Sequence, residues 1–445
     1  MRPRFAVSCL LALMLAPTSH AQQGERELPT VDAAFRRDTI EHLAKVMDER
    51  YVSRETAEKV AQELRAKNES GAYDGATSPL AFADALTRDL QTLAGDRHLR
   101  MRFSPGQAAS EGERTGPTPE EIARFTDRMR SRNYAFERVE ILEGNVGYLK
   151  FDGFMDFNDE AYRTASSAMG FLANADAVIF DLRTNGGGSP SMVQFLCTYL
   201  FPKDEPVHLN SIYDREGDIT QQYWTLPHVP GERLADVPVY VLTSRRTFSG
   251  AEEFCYNLQT RKRGTIVGET TGGGANPGGT VRIDTNFEAF IPGGRAINPI
   301  TNTNWEGVGV KPDVECPADN ALTTAHSLAV GKLLETTKDE DRVRALQWSK
   351  GALDAAAHPV TMNVSQLEPL AGTFGERRTW MEGGVLKYQR LDSPARTLTP
   401  MSGELFSMEG TPYARVRIEK GTDGKAARLV VVYDDGREDV SERTK

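Results

Sequence analysis

Apolar positions recur at different spacings along the chain and divide it into regions. Across residues 31–93 they recur every three or four positions, as at Leu43 and Met47, which is typical of amphipathic helices. From Gly147 onward, short continuous apolar runs alternate with helical stretches, the pattern of parallel strands covered by helices on both faces. After Pro359 the apolar stretches shorten and alternate with polar residues, which predicts antiparallel strands.

These changes of pattern predict an α/β fold class with three folded regions. The expected architecture is a layered α/β core with an N-terminal helical domain and a small C-terminal antiparallel β-domain. The predicted boundaries are a signal peptide at 1–21, the helical domain at 22–102, a linker and helix at 103–145, the α/β core at 146–335, a helical linker at 336–359 and the β-domain at 360–445.

The first residues have the composition of a secretory signal. Two arginines precede an apolar run from Ala6 to Ala16, and Ser19-His20-Ala21 matches a small-x-small cleavage site. We therefore predict an exported protein, periplasmic or secreted, whose mature chain begins near Gln22. No later segment approaches the roughly 18 consecutive apolar residues of a membrane span, so no transmembrane segment is predicted in the mature chain.

The net charge and the cysteine content limit which partners, disulfides and metal sites the sequence can predict. The net charge of −10 argues against nucleic acid as a main partner. Three cysteines remain after the signal, Cys197, Cys255 and Cys316, so at most one disulfide can form within the chain. Their spacing does not match a metal site, and the sequence predicts neither a metal nor a cofactor.

Two strand-to-helix turns carry the candidate chemistry. The first contains three consecutive glycines, Gly186 to Gly188, and the second places Ser249 and Gly250 before a helix. Such turns expose backbone N–H groups at the carboxyl edge of a sheet, where α/β proteins build their sites. A serine there is more often a helix cap, so Ser249 by itself leaves both a cap and a nucleophile open. No phosphate-binding glycine motif is present.

Several ordered motifs resemble one family across residues 35–335. DLRTNGGGS, TFSGAEEF, TIVGETTGGGA and NWEGVGVKPDVEC are similar to the tail-specific, or carboxyl-terminal processing, serine peptidases. The similarity is greatest to the branch of interphotoreceptor retinoid-binding protein and tricorn core protease. It implies a crotonase-like α/β fold, Ser249 as nucleophile and an oxyanion hole from Gly187 and Gly250.

The resemblance also implies the identity of the base. Ser-Lys members carry a lysine at the position of Gly274, whereas the tricorn-like branch uses an upstream histidine and a downstream glutamate, which here are His98 and Glu306. Arg97 replaces the serine that precedes the histidine in the tricorn type. The interval from Phe103 to Asn145 is also too short for the PDZ module of the processing proteases.

The predicted function is that of an exported serine peptidase acting on unstructured peptide or protein substrates. It would use a Ser-His-Glu arrangement with a backbone oxyanion hole. The alternative is a non-catalytic protein on the same fold that binds an apolar ligand or a peptide. Hydrolysis of an ester or another acyl compound would use the same groups and also stays open.

Overall fold

The computed structural model describes residues 28–105 and 118–444. The predicted signal peptide at 1–21 and residues 106–117 of the predicted linker lie outside the described residues. No helix in the described part combines the length and the apolar character needed to cross a membrane. The described residues form two compact units, the first from within 28–140, 148–174 and 180–318, and the second from within 141–147, 175–179 and 319–444.

Ten α-helices and twenty strands lie within the described residues. The helices are α1 (Ala33–Arg50), α2 (Arg54–Glu69), α3 (Pro79–Ala94), α4 (Pro119–Ser131), α5 (Asp159–Phe171), α6 (Pro190–Thr198), α7 (Gly250–Thr260), α8 (Ala321–Thr336), α9 (Glu340–Ala357) and α10 (Val364–Leu367). The strands up to the last helices are β1 (Arg100–Phe103), β2 (Phe136–Leu142), β3 (Val146–Phe151), β4 (Ala177–Asp181), β5 (His208–Asp214), β6 (Ile219–Trp224), β7 (Val239–Thr243), β8 (Thr265–Gly268), β9 (Gly278–Arg282), β10 (Phe287–Pro292), β11 (Gly294–Ile297) and β12 (Val314–Glu315). The remaining strands are β13 (Gly372–Phe374), β14 (Arg377–Glu382), β15 (Val385–Arg390), β16 (Arg396–Pro400), β17 (Leu405–Met408), β18 (Ala414–Lys420), β19 (Ala426–Tyr433) and β20 (Glu438–Glu442).

The N-terminal helices form because each begins at a side-chain cap. Asp32, Ser53 and Ser78 accept backbone N–H groups at the starts of α1, α2 and α3. Helix α3 ends at Gly95, whose φ of +67° suits a residue without a side chain. The helices bury one apolar face against β1 and β10. This confirms the helical pattern predicted for residues 31–93.

A six-stranded sheet forms the centre of the α/β core, in the order β12-β8-β7-β4-β3-β2. Strand β7 pairs in parallel with β8, and β8 with β12. Every residue of β4 and of β7 is buried, as the continuous apolar runs predict for strands covered on both faces. Each of these two strands leads through a turn into a helix, α6 or α7, and these turns form the candidate site.

Two further sheets lie in the first unit. Strand β1 pairs antiparallel with β10, and β10 with β9. The other sheet, β11-β5-β6, was not predicted from the sequence. Five of the six residues of β6 are exposed, so the strand lacks the apolar alternation that would identify it.

The C-terminal region is an eight-stranded antiparallel meander from β13 to β20, which confirms the predicted β-domain as part of the fold class. Its interior is apolar and fully buried at Phe374, Leu386, Phe406 and Leu429. The ends of the meander approach each other, because the Thr444 N–H donates to the Thr373 carbonyl at 2.8 Å. The predicted fold class is confirmed: an α/β core, a helical N-terminal region and a C-terminal antiparallel sheet.

Candidate active site

Ser249 lies at the sharp turn between β7 and α7. Its backbone has φ +54° and ψ −122°, a conformation that costs a residue with a side chain about 1–3 kcal/mol. An ordinary helix cap has extended backbone, as Ser53 (φ −112°) and Ser78 (φ −127°) have in this protein. Ser249 forms a capping box with Glu252 at the start of α7, but its backbone differs from that of the other caps, and such strain is typical of residues at functional sites.

The triple-glycine turn packs directly against the Ser249 turn. A Cβ atom on Gly187 would lie 2.7 Å from Gly250 N, and one on Gly250 would lie 3.0 Å from Gly188 O. Gly187 also has φ +100°. Because any side chain here would push the two turns apart, glycine is needed for their close approach.

This pair of turns presents two unbonded N–H groups. The Gly187 N–H donates to Asn185 Oδ1 at 2.8 Å. The N–H groups of Gly188 and Gly250 meet no acceptor among the described residues. Gly188 N would lie 3.1 Å from a Cβ on Gly250, so the two N–H groups belong to one small region beside Ser249.

His98 lies in the turn between α3 and β1, with its ring buried. The ring packs against Phe248 at a centroid distance of 4.5 Å and against Phe290 at 5.8 Å. Neither ring nitrogen has a hydrogen-bond partner among the described residues. Burial lowers the pKa of His98 to about 4, although the negative charge of Asp96 opposes this shift. The imidazole is thus neutral near pH 7, the state that can accept a proton.

Gly274 explains why a histidine and a lysine base cannot coexist here. A Cβ atom on Gly274 would lie 2.6 Å from His98 Cε1 and 2.3 Å from Phe248 Cζ. The rings of His98 and Phe248 therefore fill the space into which a side chain at position 274 would extend.

Two carboxyl groups lie next to His98. Asp96 Oδ1 is 3.7 Å from His98 Nδ1, and the polar atoms of Asp96, His98 and Glu306 all lie within 4.8 Å of one another. Glu306 Oε2 accepts the N–H groups of Ala275 (2.6 Å) and Asn276 (2.9 Å). Burial, and then the charge of Asp96, raise the pKa of Glu306 to about 8. One polar atom from each of the three groups is close enough to the others to bind a common cation.

Glu252 connects the Ser249 turn to the loop that packs on His98. Its side chain is fully buried. Its carboxylate accepts the N–H groups of Ser249 (2.9 Å), Gly273 (2.6 Å) and Gly274 (2.8 Å), and also the Thr271 hydroxyl. Burial raises the pKa of Glu252 to about 7 while these four donors oppose the shift. One buried carboxylate thus fixes the serine turn and the glycine loop together.

Ser249 and His98 line the same cavity, whose volume is about 730 Å³. Gly188 and Gly250 line it too. Much of the remaining wall is aromatic, contributed by Phe125, Phe136, Phe154, Phe157, Phe290 and Trp305. A mostly apolar cavity with a few convergent polar groups is the usual form of a binding or catalytic site.

Comparison with known proteins identifies the family. Residues 145–316 match the model of peptidase family S41, and residues 26–139 match the N-terminal domain of family S41 peptidases in eukaryotic IRBP. The chain belongs to peptidase family S41. Membership confirms the resemblance found in the sequence and the predicted class, a serine-type peptidase.

Individual relatives of this family S41 member are distant. A carboxyl-terminal-processing protease of Synechocystis sp. is 32% identical over 131 residues, which make up 29% of this chain and 28% of that protein. A peptidase structure from Parabacteroides merdae is 18% identical, with a TM-score of 0.43, and the match covers 63% of this chain and 90% of that one. The photosystem II D1 C-terminal processing protease is 17% identical, with a TM-score of 0.39, covering 64% and 93%.

The structure brings most of the predicted site residues of this S41 chain together. Ser249, Gly250 and His98 line one cavity, Gly187 touches the Ser249 turn, and Glu306 lies beside His98. Sequence reasoning missed two buried carboxyl groups, those of Asp96 and Glu252. Asp96 stands two residues before His98, and Glu252 three after Ser249, so proximity to the motifs was the only signal for them.

Proposed function

We propose that this family S41 member is a serine peptidase that hydrolyses peptide bonds in unstructured peptides or proteins. The proposal rests on one observation: Ser249, held with strained backbone, and the neutral, buried His98 line a single cavity beside two unbonded N–H donors. In the proposed roles Ser249 is the nucleophile, His98 the base and Glu306 the carboxyl group associated with His98. A cavity of about 730 Å³ holds a few residues of extended chain, not a folded domain.

The first chemical step forms the acyl-enzyme. His98 takes the proton from Ser249 Oγ while Oγ attacks the carbonyl carbon of the substrate. The carbonyl oxygen becomes an oxyanion, which accepts hydrogen bonds from backbone N–H groups. His98 then gives its proton to the nitrogen of the leaving amine as the C–N bond breaks. Water repeats the sequence on the acyl-enzyme, which releases the acid and restores the Ser249 hydroxyl.

Gly250 and Gly188 are the better-placed donors for that oxyanion. The sequence predicted Gly187 with Gly250, but the Gly187 N–H already donates to Asn185 Oδ1. The Gly188 N–H has no acceptor among the described residues and belongs to the same turn. We therefore propose Gly250 and Gly188 as the oxyanion hole, with Gly187 providing the close approach of the turns.

The decisive experiment is covalent labelling of the purified mature protein with a fluorophosphonate. We expect labelling at Ser249, none in Ser249→Ala, and normal labelling in Ser167→Ala, a control that changes an exposed serine on α5. Protein that is labelled at Ser249 by the reagent should, before labelling, hydrolyse unfolded casein. Turnover of a simple ester without casein cleavage would make the protein an esterase instead.

Ligand binding without catalysis is the second candidate function. The aromatic wall of the cavity favours an apolar ligand or an apolar peptide side chain. A folded protein that is inert to fluorophosphonate and to casein, yet binds a fluorescent apolar probe in a manner blocked by Phe157→Ala, would establish this alternative.

We also propose that the protein is exported. Residues 1–21 have the composition of a secretory signal. N-terminal sequencing of the protein recovered from the periplasm or the medium of a bacterial host should begin near Gln22. Recovery of the intact chain in the cytoplasm alone would contradict export.

A further inference from the structure

Asp96 is a buried carboxyl group beside His98 to which the mechanism above gives no role. Its residue is 1% exposed. Oδ1 accepts the His98 backbone N–H at 2.9 Å, and Oδ2 accepts the Tyr51 hydroxyl (3.2 Å) and Asn276 Nδ2 (3.0 Å). These donors come from three separate segments of the chain. Hydrogen bonds from three donors stabilise the ionised form of a carboxyl group.

Glu306 is bonded differently. Both of its donors, the Ala275 and Asn276 N–H groups, bind Oε2. Its other oxygen, Oε1, is buried without a partner among the described residues. A carboxylate oxygen in that state is costly, whereas a protonated carboxyl group carries its hydrogen on such an oxygen and can donate it.

The Asp96 and Glu306 carboxyl groups approach within 4.8 Å of each other. Two buried carboxyl groups this close do not both ionise readily, so one of them is expected to hold a proton. Asp96 has three donors and Glu306 has two. The raised pKa of Glu306, caused first by burial and then by the charge of Asp96, agrees with the proton residing on Glu306.

We propose that Asp96 is the ionised carboxylate that positions His98, and that Glu306 is the protonated member of the carboxyl pair. This deepens the proposed function and rests on it. In the proposed tautomer the proton of His98 is on Nδ1, which lies 3.7 Å from Asp96 Oδ1, and Nε2 is left to accept the proton of Ser249 Oγ. The negative charge of Asp96 stabilises the imidazolium until His98 passes that proton to the leaving group. The carboxyl pair begins and ends each cycle with one proton.

Other charges around the pair make Asp96 the main stabiliser of a charged His98. Asp96 and Arg100 act on the pKa of His98 in opposite directions, Asp96 raising it and Arg100 lowering it. Asp96 and Glu252 both raise the pKa of Glu306. Tyr51, whose own pKa is raised chiefly by burial, stays protonated and remains a donor to Asp96.

The ring tautomer of His98 tests this directly and requires no activity. We would record ¹⁵N spectra of histidine-labelled protein at pH 7 in a Ser249→Ala background, with His98→Gln to assign the signal. The expected result is the Nδ1–H tautomer in this background and with Glu306→Gln added. Asp96→Asn should convert it to the Nε2–H tautomer, because the new amide can donate to Nδ1.

Steady-state kinetics of variants that retain Ser249 provide the second test of the proposal. Asp96→Asn should lower kcat by roughly 10²- to 10⁴-fold with KM changed only a few-fold, whereas Glu306→Gln should cost about tenfold or less. Tyr51→Phe, which removes one donor to Asp96, should cost about three- to tenfold. Asp84→Asn, an exposed change on α3, is the matched control and should have no effect.

The opposite pattern would overturn the proposal: a tautomer change and a loss of 100-fold or more with Glu306→Gln, but neither with Asp96→Asn. If Asp96→Asn does not fold, Glu306→Gln decides by itself in the same way. A wild-type protein that is inert to fluorophosphonate, yet shows the Asp96-dependent tautomer, would refute the proposed function and leave the pairing of Asp96 with His98 standing.

Discussion

The active-site region and the C-terminal meander differ in how many of their buried polar atoms lack a hydrogen-bond partner. In the meander the interior is apolar, and the buried Arg377 donates to Asp439 and Ser441 at the edge. Among the described residues of 360–444, Arg377 Nε is the one buried side-chain atom without a partner. In the active-site region both His98 nitrogens and Glu306 Oε1 lack partners.

This difference distinguishes residues that stabilise the fold from residues that are available to a substrate. A buried polar atom without a partner costs about 1–3 kcal/mol, so a region selected only for stability avoids it. In the active-site region three such atoms, two on His98 and one on Glu306, accompany the strained backbone of Ser249. The His98 nitrogens are available to a substrate because His98 lines the cavity.

Beyond Ser249, His98 and Asp96, the largest effect should come from the carboxylate that joins the two halves of the site. Glu252→Gln replaces an acceptor of four hydrogen bonds with an amide whose NH₂ would face N–H donors. We expect kcat to fall by roughly 10²- to 10³-fold with a smaller change in KM, because Ser249 and the loop beside His98 lose their common anchor. Steady-state kinetics and the fluorophosphonate labelling rate measure this.

Glu253→Gln is the matched control for that change. Glu253 is the next residue on α7, and burial raises its pKa to about 8, so it is largely protonated at pH 7 and the amide is a close substitute. Its effect should stay within a few-fold. Equal losses from both variants would show that any buried carboxyl group on α7 matters, not the bonds that Glu252 makes.

A steric change at the loop should have the next largest effect. Gly274→Ala would place a methyl group 2.6 Å from His98 Cε1 and 2.3 Å from Phe248 Cζ. Because His98 must then shift, we expect kcat to drop about 10²-fold. Gly375→Ala in the meander is the comparison: Gly375 has φ +58° but open space around it, so stability should fall by about 1 kcal/mol without loss of turnover. Normal kcat in Gly274→Ala would show that His98 can move without cost.

The pH dependence should be a smaller effect with a defined sign. The reacting form of His98 is neutral, and burial lowers its pKa to about 4. We therefore expect the acid limb that His98 causes in kcat/KM to lie below about pH 5.5 and to fall about tenfold per pH unit well below the pKa. Arg100→Gln removes a cation that lowers this pKa and should move the acid limb to higher pH. An acid limb near 6.5 in the wild type would mean that the ring is solvated.

The smallest effect on catalysis should come from the meander core. Phe406 is fully buried there, and Phe406→Ala should destabilise the meander by about 3–5 kcal/mol. Turnover per folded molecule, counted by fluorophosphonate titration, should match the wild type. A lower kcat in correctly titrated enzyme would give the meander a role in the reaction.

Motifs and periodicity were sufficient to predict the α/β class, the helical N-terminal region and the antiparallel C-terminal sheet. They also brought Ser249, His98 and Gly250 into one prediction, because each stands in a distinctive motif. They could not rank Glu252 above Glu253, since adjacent glutamates on a helix look alike in the sequence, and both are buried. The four hydrogen bonds that Glu252 accepts distinguish it. Asp96 resembled an ordinary turn residue beside Gly95, because its donors Tyr51 and Asn276 are far away in sequence.

The packing at Gly274 also constrains how this site could change over evolutionary time. A lineage moving from a histidine base to a lysine base would have to alter position 274 and position 98. Lysine at 274 would displace the His98 ring before it could serve as a base, and loss of His98 with glycine retained would leave Ser249 with no base. Under the proposed mechanism either order passes through a form of this protein without a working base, so exchanging the base would require two coordinated substitutions.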